Sequence, residues 1–244
     1  MLNFDAFSAE FCKIFSQNGL EKFCGKQTIQ TFYDFTTLLI EENSHTNLTA
    51  IREIPDMISK HFADCLLPEA HFPQGATVLD VGCGGGFPTI PLAIARPDLR
   101  ITAVDSTQKK INFVQKAAKT LNLTNATAIC ARAEAPELRK FRESFDVVTS
   151  RAMARMPVLI ELTLPFVKIG GHVVALKGAQ GEVELSESIR AIPVLGGKAS
   201  PICNNLFLKT AAGDEARAIL LVEKIKQTPA AYPRNYSVIC KKPL

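Results

Sequence analysis

The chain has 244 residues, 47% of them apolar, and a formal net charge of +4, which is enough to bury one sizeable core and excludes a disordered or low-complexity chain. No apolar run reaches the roughly 20 residues of a membrane helix, and the opening MLNFDAFSAEFCK lacks the basic and apolar stretches of a secretory leader, so a cytoplasmic protein without a membrane partner is expected. The seven cysteines (Cys12, Cys24, Cys65, Cys83, Cys130, Cys203 and Cys240) form no CxxC pair, and the four histidines complete no metal-ligand spacing; reduced thiols and no bound metal are expected.

In chain order, Phe4, Phe7, Phe11, Ile14 and Phe15 recur at helical spacing, and Ile29, Phe32, Tyr33, Thr36, Leu39 and Ile40 do so again. These predict two amphipathic helices, the second ending in the cap-rich ENSHTN, followed by a third helix from about Pro55 to Leu67. Residues 1–74 therefore read as an N-terminal helical extension. From Ala76 onward short β-branched runs alternate with helical ones: ATVLDVG, RITAVD, ATAICA, FDVVTS and GHVVALKG predict five strands joined by helices. Such alternation gives right-handed crossovers and a parallel sheet covered on both faces. RAIPVLGG and RAILLVEKIK, on either side of a loop, read as two more strands. The predicted class is α/β, a doubly wound, mostly parallel, seven-stranded sheet over residues 75–244. Charge is uneven along the chain: residues 1–74 carry 5 basic and 10 acidic side chains, residues 217–244 carry 6 and 1. The basic tail is a candidate phosphate-binding segment.

The stretch LDVGCGGGFP, Leu79 to Pro88, holds four of the 14 glycines directly behind the first strand. Ligands of open α/β sheets bind at the carboxyl ends of the strands, which selects Asp80, Gly82, Gly84 and Gly86 after the first strand, Asp105 after the second, and Arg132, Ala133 and Glu134 after the third. A dinucleotide fingerprint would be GxGxxG, whereas Phe87 stands at its third glycine position. Asp80 would repel a pyrophosphate but attract an ammonium. S-adenosyl-L-methionine, with an ammonium, a sulfonium and no phosphate, is the better match, and Asp105 is placed to accept both ribose hydroxyls.

FDVVTS is followed by Arg151-Ala152-Met153, a cation where methyltransferases acting on exocyclic amines keep an amide or acid. Guanine N7 attacks through its own lone pair and needs no proton removed, so a site for it has only to orient the base and balance charge. Arg151 also matches the N7 and O6 acceptor pair of guanine. A methyltransferase for a small molecule or another RNA, and a non-catalytic RNA-binding protein on the same fold, remain alternatives on these residues alone.

LDVGCGGGFPTIPLAI, VDSTQKKINFV, ARAEA, VTSRAMA and the closing YPR and KKPL, with NLTAI and KHFADCLL upstream, resemble the RsmG (GidB) family of bacterial small-subunit ribosomal RNA guanine-N7 methyltransferases. The resemblance runs from about Asn43 to the C-terminus. It implies a class I S-adenosylmethionine-dependent methyltransferase fold, with small-subunit (16S) ribosomal RNA, naked or assembled into the subunit, as partner. By position it implies that Gly82, Gly84, Gly86, Phe87, Asp105, Ala133 and Glu134 surround the cofactor. Arg132, Arg151 and Lys177 then form the positive substrate side, with Arg151 and Lys177 as catalytic candidates and Arg234, Lys241 and Lys242 as tail contacts to RNA. His61 and Asp64, spaced i and i+3, read as a local helix pair without a functional role. NYSVI, Asn235 to Ile239, stands where the family has Gly and Pro.

Overall fold

A computed structural model describes residues 3–200 and 203–244, with side chains described except at 203–205. Met1, Leu2, Pro201, Ile202 and the side chain of Cys203 lie outside the described residues; the other six cysteines are free thiols. Two helices open the chain, α1 (Phe4–Gln17) and α2 (Lys26–Thr46). The second runs through the cap-rich stretch and closes at Asn47, whose φ of 50° leaves the helical region. A third, α3, spans 54–66 and contains a wide π-type turn, Met57–Ala63. The remaining helices are α4 (Thr89–Ala95), α5 (Gln108–Thr120), α6 (Met156–Thr163), α7 (Gly181–Glu187), α8 (Ala191–Val194) and α9 (Tyr236–Lys241).

Five strands, β1 (Thr77–Val81), β2 (Arg100–Asp105), β3 (Ala126–Cys130), β4 (Phe145–Arg151) and β5 (Val167–Gly178), run parallel in the order β3-β2-β1-β4-β5. β8 (Gly213–Lys224) pairs antiparallel with β5, and its outer side is shared by β6 (Gly197–Ala199) and β7 (Cys203–Thr210). The expected doubly wound, mostly parallel sheet is therefore present, with seven ranks built from eight strands.

Two local expectations are corrected. RAIPVLGG is not a strand: Ala191–Val194 is helical and the ladder begins only at Gly197. Pro193 has no N–H to give a ladder. Gly196 turns the chain at a φ of 90°, where an added Cβ would lie 2.2 Å from the Lys226 carbonyl oxygen. The segment read as a loop before RAILLVEKIK contains β7, which forms a hairpin with β8.

Strand side chains alternate between two apolar clusters, as period-two geometry requires. Val78, Ala103, Val147 and Val174 face one cluster; Leu79, Val104, Val148, Val173 and Ala175 face the other. The first cluster also takes Phe7, Phe11, Phe15, Phe32, Phe35 and Phe62 from α1–α3, each wholly buried and contributing about 1.5–3 kcal/mol. The N-terminal helices thus join α4 and α5, whose Ile90, Ile111 and Val114 belong to the same cluster, on one face of the sheet. Aromatic packing continues from Phe32 to Phe62, and from Phe35 to Phe87 at 5.8 Å between ring centres, which ties α2 both to α3 and to the glycine loop.

Candidate active site

A cavity of about 500 Å³ opens at the carboxyl ends of β1–β4, where the crossovers from β1 and β4 diverge. Its walls include Gly82–Gly85, Phe87, Asp105–Thr107, Ala131–Glu134, Arg151–Met153 and, from outside the sheet, Leu48, His61 and Tyr236. The glycine loop is fastened to β2: Gly82 and Cys83 donate their N–H groups to the Val104 carbonyl, and Gly84 donates to Asp105 Oδ2 at 3.0 Å. Gly82 has a φ of 79°, and a Cβ there would strike Met153 at 2.7 Å. Nothing lies within 4 Å of a Cβ added at Gly84, which faces open cavity. Asp105 Oδ1 accepts from the Thr107 N–H at 2.8 Å. A carboxylate has about four acceptor positions, so two remain for hydroxyl donors.

Asp80 departs from its expected place. It is wholly buried and absent from the cavity wall; its Oδ2 accepts from the Thr89 hydroxyl at 2.6 Å, at the start of α4. Oδ1 has no partner among the described residues. Burial pushes this carboxyl up to about 7, against the opposite pull of the Thr89 bonds and Arg151. An orphaned, proton-hungry oxygen beneath the loop fits a cationic ligand better than an anionic one. Gly86 is corrected too: with a φ of 90° and Ile90 only 2.8 Å from where a Cβ would stand, it lets α4 pack against the loop and does not face the cavity.

A second recess of about 550 Å³ adjoins the first, and His61, Arg151, Ala152 and Met153 line both spaces. Arg151 ends β4 and is held from α3. Its Nη1 donates to the Lys60 carbonyl and to Asp64 Oδ2, both at 2.8 Å, and its Nη2 donates to His61 Nδ1 at 3.0 Å. Because Nδ1 accepts, Nε2 carries the imidazole proton and donates to Thr49 Oγ1 at 2.6 Å. Burial, then the adjacent guanidinium, pushes His61 down to about 3, so the ring is neutral. It stacks on Phe87 at 4.3 Å, and Arg151 lies 5.4 Å from the same ring centre. Asp64 Oδ1 meanwhile accepts from Arg217 Nε at 2.6 Å, bringing β8 into the network. His61 and Asp64, given no role from sequence, are therefore the groups that aim Arg151; the KHFADCLL segment carried them, but their partner lies 87 residues or more away.

The chain matches the family described as rRNA small subunit methyltransferase G over residues 28–205. It is 47% identical over 208 residues to the ribosomal RNA small subunit methyltransferase G of Macrococcus caseolyticus (strain JCSC5402), covering 84% of this chain and 86% of that one. It is 42% identical to its counterpart in Clostridium botulinum (strain Eklund 17B / Type B), covering 96% and 97%. The chain belongs to the rRNA small subunit methyltransferase G family. Among solved structures it resembles geranyl diphosphate C-methyltransferase from Streptomyces coelicolor, in complex with Mg2+, geranyl diphosphate and S-adenosyl-L-homocysteine, with a TM-score of 0.52 and 14% identity over 67% of this chain and 79% of that chain. A branched-chain polyamine synthase mutein from Thermus thermophilus gives 0.53 with 13% identity, over 68% and 55%. These likenesses show the class I methyltransferase fold.

The remaining cations of the chain separate. Lys177 lines the second recess but is committed: its Nζ lies 2.7 Å from Glu184 and donates to the Ala154 carbonyl, so it fixes the 151–155 loop. Arg132 is exposed at the cavity rim, 3.9 Å from Glu134. Arg234 is corrected most sharply. It closes on Glu161, wholly buried in α6, through Nε at 2.9 Å and Nη2 at 2.6 Å, because a buried carboxylate requires a counter-charge. Lys241 and Lys242 stay exposed. Tyr236, which carries no signal in the sequence motifs, reaches the first cavity from the tail. No helix among the described residues is long and apolar enough to cross a membrane.

Proposed function

We propose that the protein transfers a methyl group from S-adenosyl-L-methionine to N7 of one guanine in small-subunit (16S) ribosomal RNA. The observation that carries this reading is Arg151, charged and fixed in the wall between the two recesses. The groups beside it are engaged in holding the guanidinium rather than free to act as a base. His61 Nδ1 is occupied by Arg151 and its Nε2 carries hydrogen, while each Asp64 oxygen holds a guanidinium. An exocyclic amine would need such a base; N7 does not.

Gly82–Gly85, Asp105 and the Ala131–Glu134 wall would hold the cofactor, Asp105 through the ribose hydroxyls, with Asp80 Oδ1 offering negative charge beneath the loop. The bound cofactor supplies a methyl group on a positively charged sulfur. The rest falls to the chain. Three of the five N–H donors of Arg151 are engaged, leaving two for the base. Since N7 must keep its lone pair for attack, these donors suit O6 rather than the N7 and O6 pair together. Arg132, Lys241 and Lys242, exposed, are left to meet phosphate. A ribosomal substrate also implies work in the cytoplasm.

The test is incubation of purified protein with the labelled cofactor and either naked ribosomal RNA or small subunits from cells lacking the protein, followed by mapping of N7-methylguanosine. One modified guanine supports the reading. Label on an exocyclic nitrogen, or on a small molecule only, overturns it.

A further inference from the structure

Tyr236 belongs to the NYSVI segment, yet it forms part of the cofactor cavity together with Ala131, Arg132, Ala133 and Glu134. It is held there from both sides. Upstream, Arg234 is locked on Glu161, and Arg142 donates to the carbonyls of Thr228, Pro229 and Tyr232. Downstream, Ile239 is wholly buried in the second apolar cluster, and the Cys240 thiol one turn along α9 acts on the Tyr236 phenol, pushing it up. The Asn235 side chain caps that helix by accepting from the Ser237 N–H at 3.1 Å.

The position of the ring within the cavity decides what it meets. Asp105, at the end of β2, is the ribose acceptor, and the glycine loop before it takes the amino-acid end of the cofactor. The base then extends away from that loop toward the end of β3, where Ala131–Glu134 and Tyr236 form the wall and Glu134 and Arg132 act electrostatically on the phenol. We propose that Tyr236 is the aromatic wall of the adenine subsite, packing its ring on the purine of S-adenosyl-L-methionine; this rests on the cofactor reading above. Aromatic rings and purines pair through their π-faces, and an anchored ring loses little freedom on binding. The C-terminal tail then becomes part of the cofactor site, although the glycine loop lies about 150 residues earlier.

The experiment is titration calorimetry of the full chain with S-adenosyl-L-homocysteine and with 5′-methylthioadenosine, which keeps only the adenosine end. Wild type, Tyr236→Phe, Tyr236→Ala and Val238→Ala are compared; Val238 is exposed on the same helix and absent from the cavity. The expected result is about a tenfold loss for both ligands in Tyr236→Ala, with Tyr236→Phe and Val238→Ala close to wild type. A second readout follows from composition: with 3 tyrosines and no tryptophan, 5′-methylthioadenosine should quench tyrosine emission in wild type but not in Tyr236→Phe. Unchanged affinity in Tyr236→Ala overturns the proposal and leaves the cofactor reading standing. So does a loss shared by Val238→Ala, which would show tail disorder, or by Tyr236→Phe, which would show a role of the hydroxyl. A wild type that binds neither ligand overturns both.

Discussion

The proposed cofactor half of the site and the proposed substrate half are built in different ways. At the ends of β1 and β2 the chain uses its own backbone: three N–H groups of the glycine loop reach across one strand spacing to Val104 and Asp105. At the end of β4 it uses side chains gathered from afar, with Arg151, Asp64 and Arg217 separated by 87 and 153 residues yet sharing one carboxylate. A backbone cradle tolerates many side chains around it, since few of them bear on the ligand. A side-chain network tolerates few changes, because each member leaves a buried partner unpaired.

The largest effect that would sharpen this contrast is on rate. Arg151→Ala removes the one cation shared by both recesses, and single-turnover methyl transfer at saturating RNA should fall about 100-fold, the scale of lost positioning. Calorimetric affinity for S-adenosyl-L-homocysteine should change little. A normal rate would mean that the β4 end is not the catalytic half.

Next in size is Arg234→Ala, expected to lower stability by about 3 kcal/mol in denaturant unfolding, because Glu161 is left buried without its counter-charge. If stability holds but RNA affinity collapses, Arg234 is a docking residue after all and the tail belongs with the substrate half.

A third prediction turns on protons. The Asp80 carboxyl is pushed up from 3.8 to about 7 by burial. Between those values the folded chain holds a proton that the unfolded chain has released, so the contribution of Asp80 to stability declines as pH rises from about 4 to 7 and levels off above. A cationic ligand in the cavity, acting through the loop rather than by contact, favours the carboxylate, so cofactor binding near pH 6.5 should release up to one proton, measurable by calorimetry in buffers of different ionisation enthalpy. In Asp80→Asn the release should vanish. An unchanged release would detach Asp80 from the cofactor half. His61, by contrast, is depressed to about 3; its contribution to stability is lost as pH falls below its ordinary value of 6.5, so it adds no titration near neutrality. With cofactor saturating, the rate should be flat from pH 6 to 8.

The smallest expected effect belongs to Lys241 and Lys242. Replacing both with Ala should reduce the slope of log affinity against log salt by about 1.4–1.8, with the rate at saturating RNA preserved. A rate loss without a slope change would move these two lysines from docking into the catalytic half.

Sequence alone determined the five parallel strands, the glycine loop and the place of Asp105, because short β-branched runs, a glycine run behind a strand and an acid at a strand end are local signals that the backbone reads within a few residues; the antiparallel edge, with β6 and β7, was not legible in this way. Sequence also placed Arg151 at a strand end. Tertiary structure alone decided what each charged group faces. Asp80 sits one pleat away from the cavity, Arg234 is drawn inward by Glu161, Lys177 is taken by Glu184, and Tyr236 reaches the cavity because the tail folds back onto α6. Those outcomes depend on burial and on partners 7 to 87 residues distant along the chain or more, and a charge acquires its role only when its neighbours have fixed how much water it loses.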